Sequence, residues 1–284
     1  MASDGDSNGW GEPSVIDREG CRIHYWAVGP ADAPTVVCSH GATMDHHMFD
    51  AQREPLLDAG YRVVTWDIRG HGLSKPIGAR FDVPTVVADL VAVLDRVGAD
   101  EVVALGQSFG GYVSQELCFR HPERVAAVAI VGATDITQLP SKLESLALRL
   151  SPYLFGLWPY RHLRKVVADS TAKTEAAKRY AYGATGQLSK REFVAVWKGV
   201  ATALHAEPGY VVEKPLLLTH GDADETGTIA RDAPAWAEKE PECRYEVIPD
   251  AGHNANQDNP EFFNRVLLEF LEEHVPARTD RSVR

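Results

Sequence analysis

Ser108 stands in GQSFGG (Gly106–Gly111), directly after the apolar run EVVAL and before GGYVSQELCFRHP, which has the pattern of a helix. Gly106-Gln107-Ser108-Phe109-Gly110 fits G-x-S-x-G, which holds a serine on a sharp strand-to-helix turn with its hydroxyl above a sheet. Glycines on either side leave room where side chains would collide with backbone. The helix start behind the serine offers N–H donors and a positive dipole end to a developing oxyanion. The chemistry that suits such a corner is nucleophilic attack on a carbonyl.

A serine hydroxyl is nearly inert at neutral pH, so it needs a base, and the base needs an orienting group. In the elbow arrangement these partners follow in the order serine, acid, histidine. His253, in the loop sequence VIPDAGHNANQDNP, is the candidate base, whereas His274 ends an amphipathic helix and reads as solvated or capping. Asp224 in PLLLTHGDADE is the candidate acid, with Asp222 and Glu225 as local alternatives and Asp135 in VGATDIT as a more distant one. Asp222 is better suited to shaping the turn by accepting nearby backbone N–H groups. Two oxyanion donors are expected, the N–H of Ala42 in HGAT (His40–Thr43) and that of Phe109 directly after the serine. Each such donor is worth about 3 to 4 kcal/mol in rate terms.

Positioning these residues takes a series of short buried strands. The candidates are 22–28, 35–40, 61–67, 101–107, 124–132, 215–221 and 244–250, mostly apolar throughout rather than alternating. Continuous apolar runs are expected of strands covered on both faces. Helical periods separate them, including Val83–Gly98 and Asn259–His274; the latter aligns Phe262, Phe263, Val266, Leu267, Phe270 and Leu271. Strand–helix alternation predicts an α/β fold with a mostly parallel central sheet flanked by helices. Residues 134–208 break the rhythm with helical, aromatic-rich sequence, at about 75 residues too long for a simple crossover. They are expected to form a helical cap inserted into a core made of residues 15–133 and 209–275.

The chain's 284 residues are 44% hydrophobic and 24% charged, an ordinary globular composition. Its 29 basic against 40 acidic residues, a formal net charge of −11, argue against a sequence-independent grip on nucleic acid or an anionic membrane. No apolar run approaches the roughly 18 to 20 residues that a bilayer span requires. The N-terminus MASDGDSNGWGEPS lacks the apolar region of a secretory signal, and residues 1–14 and 276–284 are expected to be loose tails. Cys21, Cys38, Cys118 and Cys243 are scattered. That spacing favours buried free thiols in a reducing cytoplasm over disulfides or a zinc site.

Together SHGAT, WDIRGHGLSKP (Trp66–Pro76), GQSFGG, GDAD and PDAGHNANQDNPEFFN resemble the α/β-hydrolase fold superfamily, in its cap-bearing branch of small bacterial hydrolases. The likeness runs from about Ile16 to Glu273. It implies a Ser108–Asp224–His253 triad, a cap over the site, and no cofactor. It also implies a packing role near the oxyanion loop, and no catalysis, for Asp67, Arg69 and His71. Epoxide hydrolases and haloalkane dehalogenases of this type carry an aspartate at the elbow, where this chain has Ser108. Carbon–carbon bond hydrolases usually place a tryptophan beside the histidine, where this chain has Asn254.

The leading expectation is therefore a serine carboxylesterase or lactonase acting on a small, largely apolar molecule through an acyl-enzyme. A carbon–carbon hydrolase, or a haloperoxidase or perhydrolase with the same triad, is the alternative; a ligand-binding protein without turnover stands third. Cap aromatics Tyr153, Phe155, Trp158, Tyr160, Tyr180, Tyr182, Phe193 and Trp197 could line the pocket or dock the cap. Trp158 and Trp197, with His47 from MDHHMF, are the pocket candidates. The sequence leaves the oligomeric state open.

Overall fold

Residues 9–277, described by a computed structural model, build one eight-stranded sheet. Its strands are β1 (Ser14–Arg18), β2 (Cys21–Val28), β3 (Thr35–Ser39), β4 (Arg62–Trp66), β5 (Val102–Gln107), β6 (Val125–Val131), β7 (Leu216–Gly221) and β8 (Cys243–Ile248). They lie in the order β1-β2-β4-β3-β5-β6-β7-β8. The β1–β2 and β2–β4 pairings are antiparallel, and every pairing from β4 to β8 is parallel. β3, β5 and β7 are buried at every position, as their apolar centres require of strands covered on both faces. Strand β1 went unforeseen: in SVIDREGCRI a single exposed-face alternation pairs across the Glu19-Gly20 turn, too short a pattern to stand out.

Ten α-helices and two short 3₁₀ turns accompany the sheet among the described residues, the α-helices being α1 (Asp50–Asp58), α2 (Val83–Val97), α3 (Phe109–Arg120), α4 (Lys142–Leu157), α5 (Tyr160–Thr171), α6 (Glu175–Thr185), α7 (Lys190–Val200), α8 (Ile229–Lys239), α9 (Ala255–Asp258) and α10 (Pro260–His274). One apolar layer joins residues of α2, α3 and α8 to one sheet face, and a second joins residues of α10 and the α5–α7 segment to the other. The ends of α2 follow from its sequence. Asp82 accepts the Thr85 N–H at 2.9 Å, and Gly98 at φ 70° closes the helix in the left-handed conformation. On α10, Phe263, Val266, Leu267, Phe270 and Leu271 are buried, each contributing about 1.5 to 3 kcal/mol.

Helices α4 to α7 occupy the long interval between β6 and β7. Side chains of α6 and its following turn are among those that join them to the rest of the chain. Tyr180 Oη donates to Asp45, Gln187 Nε2 donates to Asp45 Oδ2 at 2.8 Å, and the Thr185 and Thr43 hydroxyls lie 3.1 Å apart.

Part of the loose N-terminal tail expected over 1–14 is instead held against the core. Trp10 is buried beside Asp50, Gly11 O accepts the Trp26 indole N–H at 3.0 Å, and Ser14 already belongs to β1. Residues 1–8 of that tail, and 278–284 of the C-terminal one, lie outside the described residues.

Candidate active site

Between β5 and α3 the chain turns on one residue. Ser108 adopts φ 53°, ψ −114°, a left-handed backbone that costs a non-glycine residue about 1 to 3 kcal/mol. It is held there from both sides. Its N–H donates to Val131 O at 2.8 Å, and its carbonyl accepts from Gly111 and Tyr112 at 2.9 and 3.2 Å. The flanking glycines are steric necessities. A Cβ on Gly106 would lie 2.1 Å from Gly110 O, and one on Gly110 would lie 1.8 Å from Ser39 O. The first turn of α3 therefore rests on bare backbone of β3 and β5.

Two further loops meet on the same side. A Cβ on Gly221 would sit 2.2 Å from both Ala251 O and Gly252 O, so the loop after β7 presses against the loop after β8. That contact sets Asp224 against His253, with the imidazole Nδ1 donating to Asp224 Oδ2 at 2.9 Å; both residues are buried. Asp224 Oδ1 accepts the Thr226 N–H at 2.9 Å. Burial alone would raise the Asp224 carboxyl, but the charge and hydrogen bond of His253 and the Thr226 N–H outweigh it and hold it below its ordinary value. The rival carboxylates have other partners. Asp222 accepts Ala251 N–H at 3.1 Å, Glu225 is exposed, and Asp135 is engaged by Thr137 and Lys239.

Behind the HGAT loop lie two buried imidazoles. His40 donates from Nδ1 to Gly41 O at 2.8 Å and accepts the Ile68 N–H on Nε2 at 3.0 Å. His71 accepts the Thr43 N–H on Nε2 at 3.0 Å, fixing a residue whose own φ is 67°. Burial first, then the neighbouring His40, push the His71 pKa down to about 3, and burial lowers that of His40 as well. Both rings therefore stay neutral and keep an acceptor nitrogen. Asp67 caps the same region, accepting the His46 N–H at 2.9 Å and the Leu73 N–H at 2.7 Å. Ala42 faces the site, and Phe109, as the first residue of α3, has an N–H with no intrahelical acceptor.

Ser108, His253 and Ala42 line one cavity of about 880 Å³. Its wall is largely apolar, including Met44, Tyr112, Leu148, Val167, Val200 and Leu204. Trp197 lines it too. The other two pocket candidates are displaced from it. His47 lies in a short 3₁₀ turn (His46–Phe49), tilted against the His46 ring with Nδ1 3.2 Å from the Asp50 carboxylate. Trp158 is 42% exposed at the end of α4 and packs on His162. Nearness in sequence to a site residue, or aromatic character, does not by itself set the side on which a side chain projects.

Two wall residues escaped the sequence reading. Tyr112 stands four positions after Ser108, the spacing that puts it on the same face of α3. Gln107 is the variable residue before the serine, and its Nε2 donates to His253 O at 3.1 Å and Asn254 Oδ1 at 3.3 Å. No local pattern marks it, because its partners lie some 146 residues away.

Comparison with known proteins identifies the fold family. The sequence profile of the alpha/beta hydrolase fold matches residues 34–260. Epoxide hydrolase A of Mycobacterium tuberculosis is 36% identical, covering 90% of this chain and 96% of that protein. A non-heme haloperoxidase of Rhodococcus erythropolis is 25% identical, over 92% of this chain and 99% of that one. Among solved structures, an esterase from Thermogutta terrifontis superposes with a TM-score of 0.79 at 21% identity, over 93% of this chain and all of that one. The enol-lactonase of Burkholderia xenovorans LB400 gives 0.78 at 20% identity, over 91% and 99%.

Proposed function

This chain belongs to the α/β-hydrolase fold family, and from that premise we propose that it is a serine hydrolase cleaving a carboxylic ester or lactone of a small, largely apolar molecule. One observation carries the reading. The serine held at φ 53° shares a cavity with His253, whose far nitrogen donates to a buried carboxylate. In this reading His253 takes the Ser108 proton as the hydroxyl attacks the carbonyl carbon. The Ala42 and Phe109 N–H groups receive the oxyanion. The imidazolium, balanced by Asp224, then gives its proton to the leaving alkoxide, and water releases the acid by the same steps in reverse. None of these steps draws on a metal or cofactor. We read residues 134–208 as the cap that closes the acyl pocket, supported by the Leu148, Val167 and Trp197 side chains it brings to the wall.

Epoxide hydrolases of this type carry an aspartate at the elbow, where this chain has Ser108. Ring opening by an elbow carboxylate leaves an ester that water can cleave, whereas opening by Ser108 would leave an ether. The hydroxyl therefore favours acyl substrates. A second reading is favoured by the haloperoxidase relative: hydrogen peroxide in place of water would convert the acyl-enzyme to a peracid and regenerate Ser108.

Labelling with a fluorophosphonate probe tests the nucleophile: Ser108 is expected to label, and Ser108→Ala to stay unlabelled. A panel of p-nitrophenyl esters and lactones, run with and without peroxide, then sorts the chemistries. Folded protein whose Ser108 never labels would overturn the enzyme reading.

A further inference from the structure

Helix α4 presents a mixed face to the cavity and an apolar one to the outside. Glu144, Ala147, Leu148 and Ser151 face the cavity, while Leu143, Leu146, Leu150, Tyr153, Leu154 and Leu157 face outward, each between 48% and 80% exposed. At 100° per residue those six fall within about 100° of helix surface, a single stripe. With six large apolar side chains about half or more exposed, the stripe presents several hundred Å² of apolar surface, the upper end of what a monomer ordinarily exposes.

Charge says what covers it. The whole chain is acidic at −11, yet residues 134–208 hold eleven Lys and Arg against six Asp and Glu. This segment is thus +5 and the remainder −16. Around the stripe the imbalance sharpens. Lys142 and Arg149 project beside one edge of it and Arg161 follows its end, all exposed; Lys198 lies 5.0 Å over the Tyr153 ring. The one carboxylate on α4, Glu144, turns away to Arg231 at 2.8 Å. A second copy of the same face would bring these cations together, whereas an anionic, apolar-cored surface satisfies both features at once.

We propose that the outer face of α4 is a docking surface for an anionic phospholipid bilayer, lying in the interface with its leucines among the acyl chains and its basic rim at the headgroups. Contact is peripheral, since among the described residues no helix is long and apolar enough to cross a membrane. The acidic balance of the whole chain hides this face because the negative charge is concentrated outside the 134–208 segment. The surface stands independently of the catalytic reading. Its consequence for the site is positional: the helix that lies on the bilayer is also a wall of the cavity.

The full chain, mixed with extruded phosphatidylcholine vesicles with and without phosphatidylglycerol, is expected to sediment with the anionic vesicles and to be released at high salt. Leu146→Gln/Leu150→Gln should weaken that binding at least about tenfold, with circular dichroism unchanged because both side chains already face water. Lys142→Glu/Arg149→Glu should weaken it at least about tenfold by an independent route. Wild-type protein that stays in the supernatant with anionic vesicles would overturn the proposal. So would light scattering that shows a lipid-free dimer which Leu146→Gln/Leu150→Gln turns into monomers, because a second copy would then be the occupant.

Discussion

Gln107 and His253 are joined across the sheet: the Gln107 amide donates to the His253 carbonyl at 3.1 Å from the last residue of β5. One side chain thus ties the strand that presents Ser108 to the loop that presents the imidazole. A shift of an ångström between two reacting groups costs about a hundredfold in rate. Gln107→Ala is expected to lower kcat by about ten- to a hundredfold with KM little changed, and to cost about 1 to 3 kcal/mol of stability. Steady-state kinetics on a p-nitrophenyl ester, paired with urea unfolding, would read both. A raised KM at constant kcat would assign Gln107 to substrate contact instead.

Stability should fall as the medium becomes mildly acidic. His71, with its pKa pushed down to about 3, and His40, also lowered, stay neutral in the fold, whereas unfolded histidine protonates near about 6.5. Below that pH the unfolded chain takes up protons that the folded chain refuses, so the loss grows until the medium reaches about 3. Asp224, held below its ordinary value, adds its own loss below about pH 4. Urea midpoints should drop between about pH 7 and 5, and less so in His71→Asn, which offers Thr43 an acceptor that does not titrate. A flat profile for the wild type would contradict this account.

The strain at Ser108 is separable from its chemistry. Glycine accepts φ 53° without penalty, so Ser108→Gly should raise stability by about 1 to 2 kcal/mol, while Ser108→Ala keeps the strain and changes little. Both variants should be dead to the fluorophosphonate probe. Thermal melting should place the glycine variant several degrees higher, by about 2 to 4 °C per kcal/mol. Equal melting temperatures would mean that the turn costs the fold nothing.

Arg69 and Asp89 form a buried bidentate pair at 2.6 and 2.8 Å. Asp89→Ala would leave the guanidinium buried and unpaired, at a cost of about 3 to 5 kcal/mol. Arg69→Met combined with Asp89→Leu should cost less than the single change, since the one guanidinium then left without Asp89, that of Arg18, is partly exposed to water. By contrast Asp169→Ala, which removes the exposed partner of Lys165, should leave stability almost unchanged, because water screens the pair. Guanidinium denaturation of the four proteins measures the ranking.

Sequence alone determined the strand–helix alternation, because buried parallel strands and amphipathic helices each impose a periodicity on neighbouring residues. It also singled out Ser108, since the glycines around it answer to steric contacts whose signature is local. Asp224 and His253 could be nominated by chain order, but their 2.9 Å contact exists only because Gly221 lets two distant loops touch. Tertiary structure decided which cap aromatics meet the cavity, sending Trp197 inward and Trp158 outward. It likewise made Gln107 a tether, buried Trp10, and left the α4 leucines facing water. These are matters of how elements are oriented on one another. A helical or strand period says which residues share a face, and only packing says what that face meets.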